Sequence, residues 1–89
     1  MAIWGLDIQQ TRQLASQMST KASEIESILN TLTNALAGTA WEGPDATSFR
    51  NAWSGEHTAA LRRVITALND VSQQLNGNAA AQESTSQQA

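Results

Sequence analysis

The sequence predicts an all-α fold, an antiparallel two-helix hairpin (helix-turn-helix), and three observations predict it. Apolar and small residues recur at steps of three and four over two long stretches. The first stretch holds no proline or glycine between Asp7 and Ala37. Between the two lies "LAGTAWEGPDATSF", which places a tryptophan, a glycine and the chain's only proline within four positions.

The first helix is expected over about residues 7–37. Its seam alternates two sets: Ile8, Ala15, Ala22, Leu29 and Leu36, and Thr11, Met18, Ile25 and Leu32. At 1.5 Å per residue it should run roughly 45 Å. Asp7, with Gln10 three positions later, has the spacing of a capping box, in which the carboxylate accepts from free amides of the first turn. Gly38 suits the helix end.

A turn over 38–43 follows, then a second helix over about 44–76. Pro44 fits a first helical position, where its missing amide costs nothing, and Asp45 is favourable beside the helix N-terminus. The second seam reads Phe49, Trp53, His57, Ala60, Val64, Leu68, Val71 and Leu75. A short connection folds the helices back antiparallel. The two seams then pair along their length, Leu29 opposite Trp53, Ile25 opposite His57, Ala22 opposite Ala60, Met18 opposite Val64 and Ala15 opposite Leu68.

Leu14 and Ile28 beside the first seam, and Leu61 and Ile65 beside the second, stay half covered in a lone hairpin. A second hairpin is the simplest cover, so the expectation is dimerisation into a four-helix bundle through these residues. The hairpin is assigned to 1–77, with Gly77 ending the pattern, and 78–89 to a flexible C-terminal tail without large apolar side chains.

Composition removes several function classes. Net charge is −3, and the five basic residues, Arg12, Lys21, Arg50, Arg62 and Arg63, are spread over both halves. They form no stripe able to neutralise many phosphates, which argues against nucleic acid. The same sparse charge argues against strong binding to a lipid surface, although a membrane-active effector is kept as an alternative reading. No apolar run approaches the ~20 residues of a membrane span, and "MAIWGLDIQQ" lacks the basic and apolar regions of a signal peptide. There is no cysteine or tyrosine, and His57 is the only histidine. Opposite Ile25 it reads as a packing residue, and Glu24, Glu26, Glu56 and Asp70 show no metal-ligand spacing with it. No catalytic, cofactor-binding or metal-binding residues are assigned, and the chain reads as a non-enzyme.

Trp41 belongs to neither seam. A purely structural role explains it: the indole plugs the end of the bundle, its N–H meets a backbone acceptor, and Gly43 takes up a backbone angle that other residues resist. Trp4, ahead of the first helix, is expected to cover the open end of the hairpin or to contact a partner.

The Trp41-Glu42-Gly43 turn between two long helices, followed by Phe49 and Trp53, closely resembles the WXG family of early-secreted-antigen-like proteins. These are small substrates of the type VII (ESX) secretion system in actinobacteria and other Gram-positive bacteria. The resemblance spans nearly the whole chain. It implies a hairpin that folds first in the cytoplasm, pairs as a homodimer or with a related WXG protein as a heterodimer, and leaves as a folded dimer without a cleaved signal peptide. It implies a location outside the cell or on its surface, in a role as secreted substrate or co-secreted adaptor; a cytosolic scaffold or chaperone is the remaining alternative. It also implies that Trp41 and Gly43 form half of a surface read by the secretion ATPase. The other half lies in the partner's tail, where the family often carries a tyrosine four positions before an acid. Here Ala79 and Glu83 hold that spacing, so the acid is kept and the aromatic is lost. Asn78, Gln82 and Glu83 are the candidate tail signal, unless the chain leaves as passenger of a partner that carries the tyrosine.

Overall fold

The computed structural model describes residues 7–88. Helix α1 spans Ile8–Gly38, α2 Pro44–Ala52 and α3 Thr58–Gln88, with a single π-turn, Trp53–His57, joining α2 to α3. The elements α2, π-turn and α3 form one arm, α1 the other, and the described residues contain no strand. Trp4 lies outside the described residues.

The capping expectation at the start of α1 is met by Asp7, whose Oδ1 accepts from the Gln10 amide at 2.9 Å. Along α1 the inward line is Thr11, Ala15, Ala22 and Leu29, all buried, with Ile8, Met18, Ile25 and Leu36 half-buried. Leu32 lies further round and is 44% exposed.

The second arm differs from the sequence expectation in rotation. Its inward line runs Ala46, Arg50, Trp53, Thr58, Leu61, Ile65, Leu68, Ser72, Leu75 and Ala79, each buried or half-buried. Every step is three or four residues except Trp53 to Thr58, which is five, and it coincides with the π-turn. There the Thr58 amide and hydroxyl both donate to the Trp53 carbonyl. One extra residue in a turn moves the following face by about 100°. Val64 and Val71, expected in the hairpin core, are therefore 46% and 37% exposed, while Leu61 and Ile65, expected at a dimer interface, are half-buried on the α1 side.

The arms are also displaced along their length by about one helical turn from the expected pairing. Trp53 Nε1 donates to Thr33 Oγ1 at 3.0 Å rather than lying opposite Leu29, and Ser72 Oγ donates to the Ala15 carbonyl at 2.7 Å, where Leu68 was expected. The cause is at the connection: Arg50 comes level with Leu36 and bonds its carbonyl, which fixes where the second arm starts.

Nor does the second arm stop at Gly77. Helix α3 continues to Gln88, Ala79 is fully buried, and Arg12 grips Glu83 through Nη1 and Nη2 at 3.2 and 3.3 Å. Gly77 keeps an ordinary helical backbone, because a lone glycine costs about 1 kcal/mol and packing beyond it offsets that.

The seam is built from small side chains. Among the described residues, its buried apolar side chains are Ala15, Ala22, Ala46, Ala79 and a single large one, Leu29. Alanines let the backbones approach closely but remove little apolar surface from water. The resulting body is a rod of 67 × 17 × 14 Å.

Candidate functional site

The connection between the arms is where the sequence concentrates unusual residues. After Gly38 the chain leaves helical geometry at Thr39, whose φ and ψ are −97° and 133°. The Trp41 amide donates to the Thr39 carbonyl at 2.9 Å. Gly43 then takes φ +115° and ψ 175°, a combination essentially confined to glycine, and its carbonyl accepts from Thr47 to start α2. It is the only positive-φ residue among those described, which explains the glycine two places after the tryptophan. Pro44 occupies the first helical position and Asp45 the first turn, as expected.

Trp41 lies on the outside of this connection, 39% exposed. Its ring meets Phe49 at 6.1 Å between centroids and 46° between planes. The aromatic contacts continue along the arm, Phe49 to Trp53 at 6.3 Å, Phe49 to His57 at 6.2 Å, and Trp53 to His57 at 6.5 Å. Phe49 itself is 41% exposed, and His57 is exposed rather than packed opposite Ile25. The expected backbone acceptor for the Trp41 indole N–H is not found among the described residues. Trp53 differs: Thr33 Oγ1 accepts from its indole N–H and in turn donates a hydrogen bond to the Leu29 carbonyl at 2.7 Å.

Sequence reasoning missed Arg50. Its Nε and Nη2 donate to the Leu36 carbonyl at 3.1 and 2.9 Å, Nη2 also to Thr39 at 2.9 Å, and Nη1 to Trp41 at 2.6 Å. Its guanidinium carbon lies 5.8 Å from the Trp41 ring centroid. The available signal was a deficiency: the last turn of α1 has no basic residue, so its terminal carbonyls need a donor from elsewhere. Arg50 is the nearest cation in the sequence.

The candidate tail residues sit at the other end of the hairpin. Asn78 is exposed, Gln82 and Glu83 are half-buried, and Glu83 is engaged by Arg12. No single chain can bring Trp41 and Glu83 together, since nearly the whole length of α1 separates them.

Between these ends, Leu14, Ile28 and Leu32 of α1 and Val64 and Val71 of α3 remain 37–54% exposed. At 100° per residue they fall on one flank of the hairpin. Leu14, Met18 and Leu68 line one open cleft on that flank. The cross-arm ion pairs Arg12–Glu83 and Glu26–Arg62 lie on the opposite flank. The described residues include no cluster of groups able to hold a metal ion and no helix long and apolar enough to cross a membrane.

A helical hairpin, a Trp-x-Gly connection with its glycine at positive φ, and one apolar flank left uncovered by the chain's own arms together describe a small all-helical protein with an exposed tryptophan at its turn. The profile of the WXG100 family, described as proteins of 100 residues with WXG, matches residues 6–87, and the chain belongs to that family. Searches of curated proteins and of solved structures returned no match. The family is known for small secreted type VII substrates that generally form dimers and are generally non-enzymatic.

Proposed function

We propose that this chain is exported by a type VII secretion system as a folded dimer, acting as a secreted substrate or a co-secreted adaptor. The observation that carries this reading is the contrast between seam and flank. Alanines fill the seam, while Leu14, Ile28, Leu32, Val64 and Val71 stay exposed together on one side. A second hairpin laid on that flank gains about 1 kcal/mol per side chain, since full burial of such a residue is worth roughly 1.5 to 3 kcal/mol and part is already gained.

In the same reading, Trp41 and Gly43 form the turn half of the surface read by the secretion ATPase. Asn78, Gln82 and Glu83 form the tail half, contributed by the other protomer. An antiparallel pairing of two rods sets the turn of one beside the tail of the other, which matches the separation of the two elements within one chain. The partner is a second copy or a related WXG protein.

Analytical ultracentrifugation of the purified chain, together with its assay in culture supernatant, tests the proposal. The expected result is a dimer in solution and accumulation outside the cell. A stable monomer that acquires no order on mixing with a related hairpin would remove the dimer, and retention in the cytosol would remove export.

A further inference from the structure

We infer that Arg50 is a positioning residue that presents Trp41 to its partner; this rests on the reading of Trp41 as a recognition element. One guanidinium donates four hydrogen bonds to three carbonyls, and these belong to the end of α1, to its cap and to the tryptophan. The contact to Trp41 is the shortest, at 2.6 Å. Because Arg50 stands on α2, this set of bonds ties both arms to the backbone of the connection between them.

The side chain of Trp41 is held by Arg50 and by its neighbour on α2, Phe49. Phe49 meets its ring at 6.1 Å and the Arg50 guanidinium lies 5.8 Å from its centroid. Trp41 as a whole nonetheless stays 39% exposed, and its indole N–H has no acceptor among the described residues. A large exposed aromatic with an orientation already fixed loses little freedom on docking, which is how preorganisation raises affinity. Gly43 allows the bend; Arg50 keeps the tryptophan in one posture on it. The planar fork of arginine is essential to this arrangement, because an ammonium is a point charge on a flexible stem and does not bridge three carbonyls.

Fluorine NMR of the full chain labelled with 5-fluorotryptophan, combined with export from the native host, tests the inference. Arg50→Lys keeps the charge beside the end of α1 and Arg50→Ala removes it. In both variants the Trp41 resonance is expected to sharpen and move, with the Trp53 resonance in place and helicity retained by circular dichroism. Export is expected to fall between a few-fold and about tenfold, the penalty for ordering one rotamer-rich side chain at the moment of binding. If Arg50→Ala loses its helicity, Arg50→Lys carries the test alone. An unchanged Trp41 resonance in both variants overturns the positioning role, and so does an Arg50→Lys chain that matches the parent in both assays. Normal export of Trp41→Ala overturns the recognition reading instead, and the NMR result tells the two failures apart.

Discussion

Gly43 shows how one position limits what its neighbours do. At φ +115° a side chain meets no atom within 4 Å, so the cost of substitution is conformational, not steric. Gly43→Ala should therefore lower stability by about 1–3 kcal/mol, the range for a non-glycine residue forced into such a region. Urea denaturation checks this, and an unchanged midpoint would mean the backbone relaxes freely. The glycine's need was readable from the triplet, because a tight reversal beside proline favours it. Arg50 was not readable in the same way. Its role depends on three carbonyls distributed over six positions of the preceding chain, a convergence that no periodicity encodes.

Among the elements, α1 was the most legible, because an uninterrupted seam with a cap leaves one solution. The second arm misled for an identifiable reason. Phe49, Trp53, His57, Ala60, Val64, Leu68, Val71 and Leu75 form a continuous apolar line at α-helical spacing, and so does the frame that the structure uses downstream of the π-turn. The two frames share Trp53, Leu68 and Leu75, and the pattern alone does not choose between them. A single-residue deletion distinguishes the π-turn from the rest of the arm. Removing Gly55 converts the five-residue step into a four-residue one and should leave the inward face of α3 unchanged, with helicity and melting temperature preserved or raised. Removing Ala67 should rotate everything beyond it by about 100° and lower the melting temperature by several degrees. Equal damage from both deletions would show that the π-turn is not a simple insertion.

The end of α3 yields a prediction opposite to that of a mobile tail. Deleting residues 78–89 removes the fully buried Ala79 and the Arg12–Glu83 pair, whose side chains are each 45% exposed. The ion pair contributes at most about 1 kcal/mol. The lost packing adds to it, so truncation should reduce both helicity and melting temperature. A truncated chain that melts like the parent would restore Gly77 as the boundary. The polar composition after Leu75 concealed this extension, since alanine at the seam gives little hydrophobic signal. Ala79 also bears on the missing tyrosine: a residue with no exposed surface has no space for a phenol without displacing its neighbours.

For the whole molecule, the asymmetry between flanks makes association testable with two substitutions. Val64→Asp places a charge on the apolar flank and should shift the proposed dimer towards monomer. Thr66→Asp, two positions further along α3 and away from that flank, should leave it unchanged. Sedimentation velocity at micromolar concentration reads both, and equal behaviour of the two variants would rule out this flank as the contact. The choice of method is itself dictated by the rod. Its radius of gyration is 19.5 Å, against about 12 Å for a compact domain of this length. Such a particle experiences the friction of a much heavier sphere, so gel filtration calibrated on globular standards would assign even the monomer a dimer's mass. Elution volume alone therefore overstates assembly for this chain, whereas methods that weigh the particle, or that fit its shape from scattering, do not.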